Sequence, residues 1–445
     1  MKKKYVRWTL WTIASPFILF VILCILIYLP PIQNFLVDKA AVYASEATGM
    51  NISVGRISLS FPLNLVVTDV DAASPHNDTL LSVRRLQVNV QLLPLLKKQV
   101  EVDGISLQGA TVNSNDLIHG MKLNGTLGEL FISSHGVALD PETAIVNKVL
   151  LKDTDLSLCL NDTAAADTAA SDTTYWKIIL QDIDLQNVSF ALDMPLDSLS
   201  LAASLDNAIL RDGLIDLHKS AYSLQTFRIK NGRVRYDSGK PLAADSLPSG
   251  LDPSHIALTD IGVKLDSLYY EGRNMKAIIS QFVLKERSGV EIVSATGRMV
   301  SNDKVLRVPS LKLETRDSYL ELNAAMDWNA LDFKGEGLMS ARLMADIGKP
   351  DVVRFMGRMD EKFVRQYPSE PLRIRTGIDG DLNKLKLTTL TAELPGALGL
   401  FARGELTHLT DSLLRGGDIT LEAETKDLKF VSTLAEGIEI PYGTR

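Results

Sequence analysis

Side chains that commonly perform catalysis are present in this sequence, but they are not grouped into a recognisable site. The histidines are isolated in polar or turn contexts, at positions 76, 119, 135, 218, 255 and 408. There is no Gly-x-Ser-x-Gly segment, no glycine-rich phosphate loop ending in Lys-Ser/Thr, and no His-Glu-x-x-His segment. Asp182 and Asp184 flank Ile183, so in a strand both carboxylates would face solvent, where general acid–base chemistry lacks a pocket. The sequence therefore predicts a protein that is not an enzyme, with no catalytic residue, bound metal or cofactor.

Cysteine content and charge exclude further kinds of site. Cys24 lies within a long apolar run, which leaves Cys159 without a partner, so neither a disulfide framework nor a cysteine metal site is predicted. The 54 acidic and 47 basic residues give a net charge of −7, without the basic footprint of a nucleic-acid-binding protein. We therefore expect no nucleic-acid partner.

The feature with the clearest chemical consequence is a set of aliphatic residues that alternate with polar ones. In residues 86–92 every second residue is Leu or Val, and the residues between them are Gln or Asn. In a β-strand this alternation places four apolar side chains on one face and three amides on the other. Similar alternation recurs along the chain. The candidate groove residues are Leu86, Val88, Val90, Leu92, Ile105, Leu107, Ile183 and Leu185.

Such an apolar face can be used in two ways, and the alternation alone does not choose between them. In one, the sheet curls into an open groove that shields lipid acyl chains while their headgroups stay in water. The burial of apolar surface would contribute roughly 25 cal/mol per Å². In the other, the same residues form a closed, dry core.

From residue 49 onward the periodicity is that of strands separated by short turns. Turn signals such as Asp103-Gly104 and Asn231-Gly232 separate the apolar segments, and residues 351–367 give the best internal helix. The predicted fold class is mainly β: an elongated, repetitive, curled antiparallel sheet with few short helices. Residues 49–445 are predicted to form this region.

Four segments repeat one pattern inside this region. They start at residues 105, 149, 183 and 227, with separations of 44, 34 and 44 residues. Each reads apolar-x-apolar-polar, then a small or polar turn residue, then x-x-apolar, which predicts a strand, a kink or bulge, and a second strand. Repeats of this length favour an array in which each unit packs against its neighbours. The alternative is a β-sandwich, which would need a larger aromatic core than the 6% of aromatic residues supplies.

The N-terminus predicts a single membrane anchor. Residues 8–29 form an uncharged apolar run, long enough as a helix to cross a hydrocarbon core of roughly 30 Å. The basic residues before it are Lys2, Lys3, Lys4 and Arg7. By the positive-inside rule the tail, residues 1–7, lies in the cytoplasm and the bulk of the chain lies across the membrane.

A cleaved signal peptide is the alternative to this anchor. The apolar run is longer than the usual span of about 7–15 residues, and no compact small-residue cleavage site follows it. We therefore expect an uncleaved anchor, with residues 30–48 as a short helix or linker outside the membrane.

One segment, residues 161–174, has low complexity. It is built from Asp, Thr, Ala and Ser and lacks large apolar residues, so we expect an exposed loop. Its Asp-Thr-Ala and Asp-Thr-Thr triplets resemble the acceptor sequence of the O-glycosylation system of exported Bacteroidetes proteins. The candidate acceptors are Thr163, Thr168 and Thr173.

An ordered series of segments in the first quarter of the chain resembles a known family. Residues 55–65 read Gly-Arg-Ile-Ser-Leu-Ser-Phe-Pro-Leu-Asn-Leu, and Val67-Thr-Asp-Val70 follows. Residues 80–96 and 102–112 supply the next strands, with a Leu-Leu-Pro-Leu-Leu segment between them. Over residues 1–112 this order resembles the opening of AsmA-like proteins, TamB among them. The later repeats resemble the same architecture more loosely.

The resemblance implies a bacterial inner-membrane protein with a taco-shaped periplasmic β groove and a part in outer-membrane biogenesis. Phospholipids would be the cargo, and an outer-membrane β-barrel protein is an expected partner. The alternative role is a scaffold or assembly factor that aids outer-membrane protein insertion and secretion through its sheet edges. TamB-type chains end in a long C-terminal β domain, and this sequence stops at residue 445 without one. We therefore expect a short AsmA-type relative or a piece of a longer chain.

Overall fold

The structure is a computed structural model, and it is mainly β with few short helices, as the sequence predicts. It describes residues 48–60, 64–74, 78–91, 102–114, 120–138, 142–161, 175–239, 250–331, 337–356 and 361–427, together with 39, 41, 42, 45, 46 and 430. The chain divides into two compact units, residues 1–174 with 178–196, and residues 175–177 with 197–445. We call them unit 1 and unit 2.

Unit 1 contains seven described strands. They are β1 (Asn51–Ser60), β2 (Asn64–Ala73), β3 (Thr79–Val90), β4 (Val102–Asn113), β5 (Met121–Ala138), β6 (Thr143–Leu160) and β7 (Lys177–Met194). From β1 to β6 each strand pairs with the next in the chain, and every pair is antiparallel. This sequential pairing fits the predicted array rather than a sandwich, whose connections cross between sheets.

The strands β6 and β7 depart from the antiparallel rule. Three side-chain hydrogen bonds join them, from Asn147 to Gln181, from Asn187 to Asp153, and from Ser189 to Asp155. All three join residues 34 positions apart. A constant separation means that both strands run in the same direction, and it equals the spacing of the sequence repeats that start at 149 and 183.

Unit 2 contains the remaining described strands. They are β8 (Leu199–Asp216), β9 (Ala221–Leu224), β10 (Thr226–Ser238), β11 (His255–Glu271), β12 (Asn274–Glu286), β13 (Glu291–Ser301), β14 (Val305–Thr315), β15 (Tyr319–Asp327), β16 (Met339–Ile347), β17 (Leu372–Gly380), β18 (Lys384–Leu394), β19 (Leu398–Thr407) and β20 (Gly416–Thr425). From β10 to β20 each strand pairs antiparallel with the next. The short β9 pairs with β8 and β11, beyond the end of β10.

A transverse crease crosses the strands of unit 1 where the sequence repeats predict a kink. The fifth residue of each of the four repeats has a left-handed backbone. These residues are Gly109 (φ 61°), Asp153 (φ 49°), Asn187 (φ 51°) and, in unit 2, Asn231 (φ 54°). The strand register aligns the positions in unit 1, which are Gly55, Asp69, Arg84, Gly109, Gly128, Asp153 and Asn187. The predicted kink is therefore confirmed, and it lies within continuous strands.

The crease shifts the alternation of apolar residues by one position. In β1 the less exposed residues are Ile52, Val54, Ile57 and Leu59, with the polar residues between them exposed. Before Gly55 the less exposed residues of β1 have even numbers, and after it they have odd numbers. An extra residue at the crease has the effect of a β-bulge, which bends the strand while the sheet keeps one apolar face.

Neighbouring strands approach each other closely at the crease, and glycine is needed there. A Cβ on Gly128 would lie 2.8 Å from the Cβ and 2.9 Å from the carbonyl oxygen of Asp153. A Cβ on Gly55 would lie 2.9 Å from the Cβ of Asp69. Asp and Asn tolerate the left-handed conformation better than bulkier residues, so each of these pairs combines a tolerant residue with a glycine.

The predicted helix at 351–367 is observed as two short helices in unit 2. They are α1 (Lys349–Met356) and α2 (Glu361–Gln366), between β16 and β17. A small dry core lies beside them, formed by Tyr367, Leu394, Ala397 and Phe430. Burial raises the pKa of the Tyr367 hydroxyl.

A buried carboxylate fixes the start of α1. Asp351 is 1% exposed and accepts hydrogen bonds from the hydroxyls of Thr315 and Ser318. Its second oxygen lies 3.0 Å from the Arg354 guanidinium, which also contacts Asp317 at 2.9 Å. Because a buried charge is costly unless it is paired and hydrogen-bonded, this network ties the helix to the turn between β14 and β15.

Within the described part of the chain, no helix is both long and apolar enough to cross a membrane. The predicted span at 8–29 lies outside that part, as do the tail residues Lys2, Lys3, Lys4 and Arg7. The candidate acceptors Thr163, Thr168 and Thr173 and the groove candidate Leu92 also lie outside it.

Replacing Gly128 with Ala tests the close approach at the crease. The added Cβ would meet backbone and Cβ atoms of Asp153, so we expect unit 1 to lose about 1–3 kcal/mol of unfolding free energy. Urea unfolding, followed by hydrogen exchange of peptides from β5 and β6, measures this loss. Gly399→Ala is the control, because nothing lies within 4 Å of its added Cβ. Equal, small effects of the two variants would contradict the close approach.

Candidate functional site

The groove candidates of unit 1 belong to two rows of aliphatic side chains that run across neighbouring strands. Row 1 consists of the cross-strand partners Leu59, Leu65, Val88, Ile105, Ile132 and Val149. Row 2 consists of Ile57, Val67, Leu86, Leu107, Leu130 and Leu151. In every strand the two members are two residues apart, so both rows lie on one face of the sheet.

The structure thus brings four of the predicted candidates into direct register. Val88 is the Cα partner of Ile105, and Leu86 is the partner of Leu107. Val90 lies two residues beyond Val88 on the same strand and face. Side-chain contacts such as these, between directly opposed aliphatic residues, are the unit of sheet stabilisation.

The last two candidates continue the rows onto β7. Ile183 and Leu185 lie 34 residues after Val149 and Leu151, which is the separation that the hydrogen bonds between β6 and β7 maintain. The two rows therefore extend across all seven strands of unit 1.

These rows are only partly covered. Leu86, Val88, Val90 and Leu107 are half-buried, and Ile105 is 37% exposed. By contrast, the apolar side chains that are fully buried in the described strands of unit 1 are Ala72, Leu80 and Val83. In a closed core the row residues would each be packed on all sides. Among the described residues, this face is open.

The opposite face of unit 1 is polar, most of all beside the crease. The row next to the crease on that face is Arg56, Thr68, Arg85, Gln108, Glu129 and Lys152. The neighbouring row is mixed, with Gln87 and Ser106 but also Val66, Phe131 and Leu150. The two faces of unit 1 thus differ strongly in polarity close to the crease.

Unit 2 has its own apolar rows. One consists of Leu313, Leu320, Ala345, Ile374, Ala392, Leu400 and Ala423. The next, on the same face, consists of Leu311, Leu322, Leu343, Thr376, Leu390, Ala402 and Leu421. The opposite face has cross-strand ion pairs, including Arg375 with Asp346 at 2.8 Å and Lys384 with Glu405 at 3.0 Å.

Sequence reasoning found part of the unit 2 rows and missed the rest. The alternating pairs Leu311 with Leu313 and Ile419 with Leu421 are visible in the sequence. Leu320 and Leu322, in Tyr-Leu-Glu-Leu-Asn, carry the same signal and belong to the same rows. Alanines fill the other row positions. Because alanine is small and weakly apolar, it does not stand out as an apolar residue alternating with polar ones in the sequence.

A histidine and a carboxylate are hydrogen-bonded at the start of β11. His255 lies 2.9 Å from Asp252, a contact that sequence reasoning missed. That hydrogen bond, with one from the backbone of Ser254, lowers the pKa of the Asp252 carboxyl. The pair ties down the start of β11. No three His, Cys, Asp or Glu side chains among the described residues are arranged to hold a metal ion.

No protein-family model matches the sequence, and no curated protein is significantly similar to it.

The cost of trimming a leucine distinguishes an open face from a closed core. Leu107 is half-buried, so we expect Leu107→Ala to cost about 1 kcal/mol of unfolding free energy, in proportion to the contact area it loses. Leu80 is only 3% exposed on the adjacent strand, and Leu80→Ala should cost about 2–5 kcal/mol. Urea unfolding of unit 1 measures both. Equal costs would show that row 2 is packed like a core.

Proposed function

We propose that this protein is an inner-membrane-anchored periplasmic protein of the AsmA/TamB type. In this proposal it conveys phospholipid acyl chains along the apolar faces of its sheets, as part of outer-membrane biogenesis. The sheets would be elongated and curled, with the apolar rows lining the inside of a groove. The row residues then take the place of an active site, and the protein is not an enzyme.

The observation that carries this proposal is the alignment of partly exposed aliphatic rows across many strands. Soluble proteins rarely expose a large contiguous apolar patch unless it binds something. An acyl chain against such a row would be stabilised by roughly 25 cal/mol per Å² of apolar surface removed from water. The rows run across the strands, so a chain could move from strand to strand without crossing a polar barrier.

The crease supports the curled shape. Left-handed residues at one aligned position of β2, β4, β6 and β7 bend the strands along a common line, as bulges do in curved sheets. The aliphatic face would then lie inside the bend, while residues such as Arg85 and Glu129 face water.

The sequence of the N-terminus supports the location. A charge-free run at 8–29 preceded by Lys2, Lys3, Lys4 and Arg7 fits a single-pass anchor with a cytoplasmic N-terminus. In this orientation the strands of both units lie in the periplasm. The partners would be the inner membrane and its phospholipids.

Site-specific photo-crosslinking in cells tests lipid conveyance. A photo-reactive residue at Val88 or Leu107 should capture phospholipid, because these side chains belong to the apolar rows. The same residue at Gln87 or Ser106, which are partners of each other on the opposite face, should not. Mass spectrometry of the adducts provides the measurement. Equal lipid labelling on both faces, or none on either, would rule lipid conveyance out.

A second function, the assembly of outer-membrane proteins, is favoured by a different observation. Among the described residues, β20 pairs only with β19, and all ten of its residues are exposed, including Ile419 at 45% and Leu421 at 61%. An open strand edge can recruit another strand by main-chain hydrogen bonding. A β-barrel precursor or an outer-membrane β-barrel protein would be the partner.

Crosslinkers on β20 separate the two functions. If β20 recruits strands, a photo-reactive residue at Thr420 should give protein adducts that include β-barrel precursors. A proline added at Glu422 of the same strand should reduce these adducts by removing a main-chain donor. Thr391, on the internal strand β18, is the control position and should give none. Lipid adducts on the rows, without protein adducts at β20, would count against an assembly role.

A further inference from the structure

A concave surface on the polar face of unit 2 combines three cations near the left-handed residue Asn231. Arg228 and Lys230 lie two residues apart on β10, and Lys264 on β11 is the direct Cα partner of Arg228. Asn207 on β8 is the partner of Lys230, and Gln281 on β12 is the partner of Lys264. The three cations and two amides therefore surround one patch on four adjacent strands.

Irregular backbone lies within the patch. Gly262 on β11 lines it and has no side chain, next to the register shift of β11 against both β10 and β12. The left-handed residues Asn231 and Asp260 lie at its margin. Ile209, the partner of Arg228 on β8, and Val283, the partner of Gly262 on β12, also line the patch. The cationic side chains therefore surround a shallow floor of backbone and aliphatic groups.

The charges in this patch are not internally balanced. Arg228 and Lys230 are exposed, and no carboxylate in the described part of the chain lies within ion-pair distance of either. Lys264 is 3.7 Å from Asp266. The lining carboxylate, Asp260, lies 2.8 Å from Lys285.

This arrangement is unfavourable for folding. Like charges directly opposite each other on neighbouring strands are destabilising, and Arg228 faces Lys264 in that way. The rest of β10 avoids the conflict, because Arg233 lies 4.0 Å from Asp206 and Arg235 lies 2.6 Å from Asp237. Asp266 offsets only part of this repulsion, and a local conflict that is not fully compensated is the kind of feature that marks a functional site.

We propose that this patch binds a phosphate-type oxyanion. Guanidinium and ammonium groups donate charge-assisted hydrogen bonds to phosphate oxygens, and the guanidinium can donate two in parallel. The amides of Gln281 and Asn207 add neutral donors at the rim. An anion with two or more charges would relieve the repulsion between Arg228 and Lys264. The source is either a free phosphate compound or the headgroup of an anionic phospholipid.

This site is separate from the apolar rows. Phe227 and Leu265, which precede Arg228 and follow Lys264 in the chain, are cross-strand partners on the opposite face and do not line the patch. Loss of lipid conveyance and loss of anion binding can therefore be observed independently, and the anion site does not rest on the proposed lipid function.

Lysine protection tests the anion site. The full chain in neutral detergent micelles is acetylated briefly, and modification of Lys230 and Lys264 is measured by mass spectrometry. Inorganic pyrophosphate is the free probe, and micelles doped with phosphatidylglycerol are the lipid probe. We expect at least one probe to slow acetylation of both lysines, with half-protection shifted about tenfold or more to higher probe concentration in Arg228→Gln. Lys276, on β12 outside the patch, should be unaffected by the probes.

The matched control is the double variant Arg233→Gln with Arg235→Gln, on the same strand but already paired with carboxylates. It should bind the probes like the unmodified protein.

Arg228→Gln should also raise Tm, because it removes the like charge that lies opposite Lys264. Lys230→Gln serves as a second patch variant. Protection by pyrophosphate supports a free phosphate ligand, and protection by phosphatidylglycerol alone supports a headgroup. No protection by either, or an equal shift in the Arg233 and Arg235 control, would overturn the proposal.

Discussion

A left-handed backbone residue, repeated at one aligned position of β2, β4, β6 and β7, is the constraint on which the sheet of unit 1 depends. In β4 the apolar residues Ile105 and Leu107 precede Gly109, and Val112 follows it. Because side chains alternate with a period of two, an uninterrupted strand would send Val112 to the face opposite Leu107. The extra residue at the crease returns Val112 to the same face as Leu107. Only Gly, Asn and Asp take this conformation at low cost, so the repeats place them there.

The apolar face differs from an ordinary core in how little of it is covered. Within the described residues, a compact dry core forms beside α1 and α2, around Tyr367, Leu394 and Phe430. Most row residues are instead only partly buried, so their stability comes chiefly from cross-strand neighbours in the same sheet. Burial of apolar surface therefore contributes less to the folding free energy of such a sheet than to that of a globular protein with a closed core. The polar face contributes solubility, and its ion pairs are exposed enough to add little stability individually.

The two proposals assign separate chemical roles to the two faces. The apolar rows present a surface with few directional groups, which would suit a cargo that needs shielding from water rather than specific hydrogen bonds. The polar face of unit 2 carries the opposite character beside Arg228 and Lys264, where charge and hydrogen-bonding geometry can select a ligand. Both arise from one strand pattern, since alternate residues of β10 supply Phe227 and Ile229 to one face and Arg228 and Lys230 to the other.

The sequence by itself determined the strand class, the repeat and the kink. Two-residue alternation predicted the apolar face at Leu86, Val88, Ile105 and Leu107, and the turn residue of each repeat predicted the position that is left-handed at Gly109 and Asn187. These are local properties, which neighbouring residues encode. Only the tertiary structure decided which strands are neighbours, and hence the parallel run of β6 and β7, the opposition of Arg228 and Lys264, and the capture of Asp351 by Thr315 and Ser318. Contacts between residues more than 30 positions apart depend on strand register, and register is set by the packing of whole strands rather than by any local pattern.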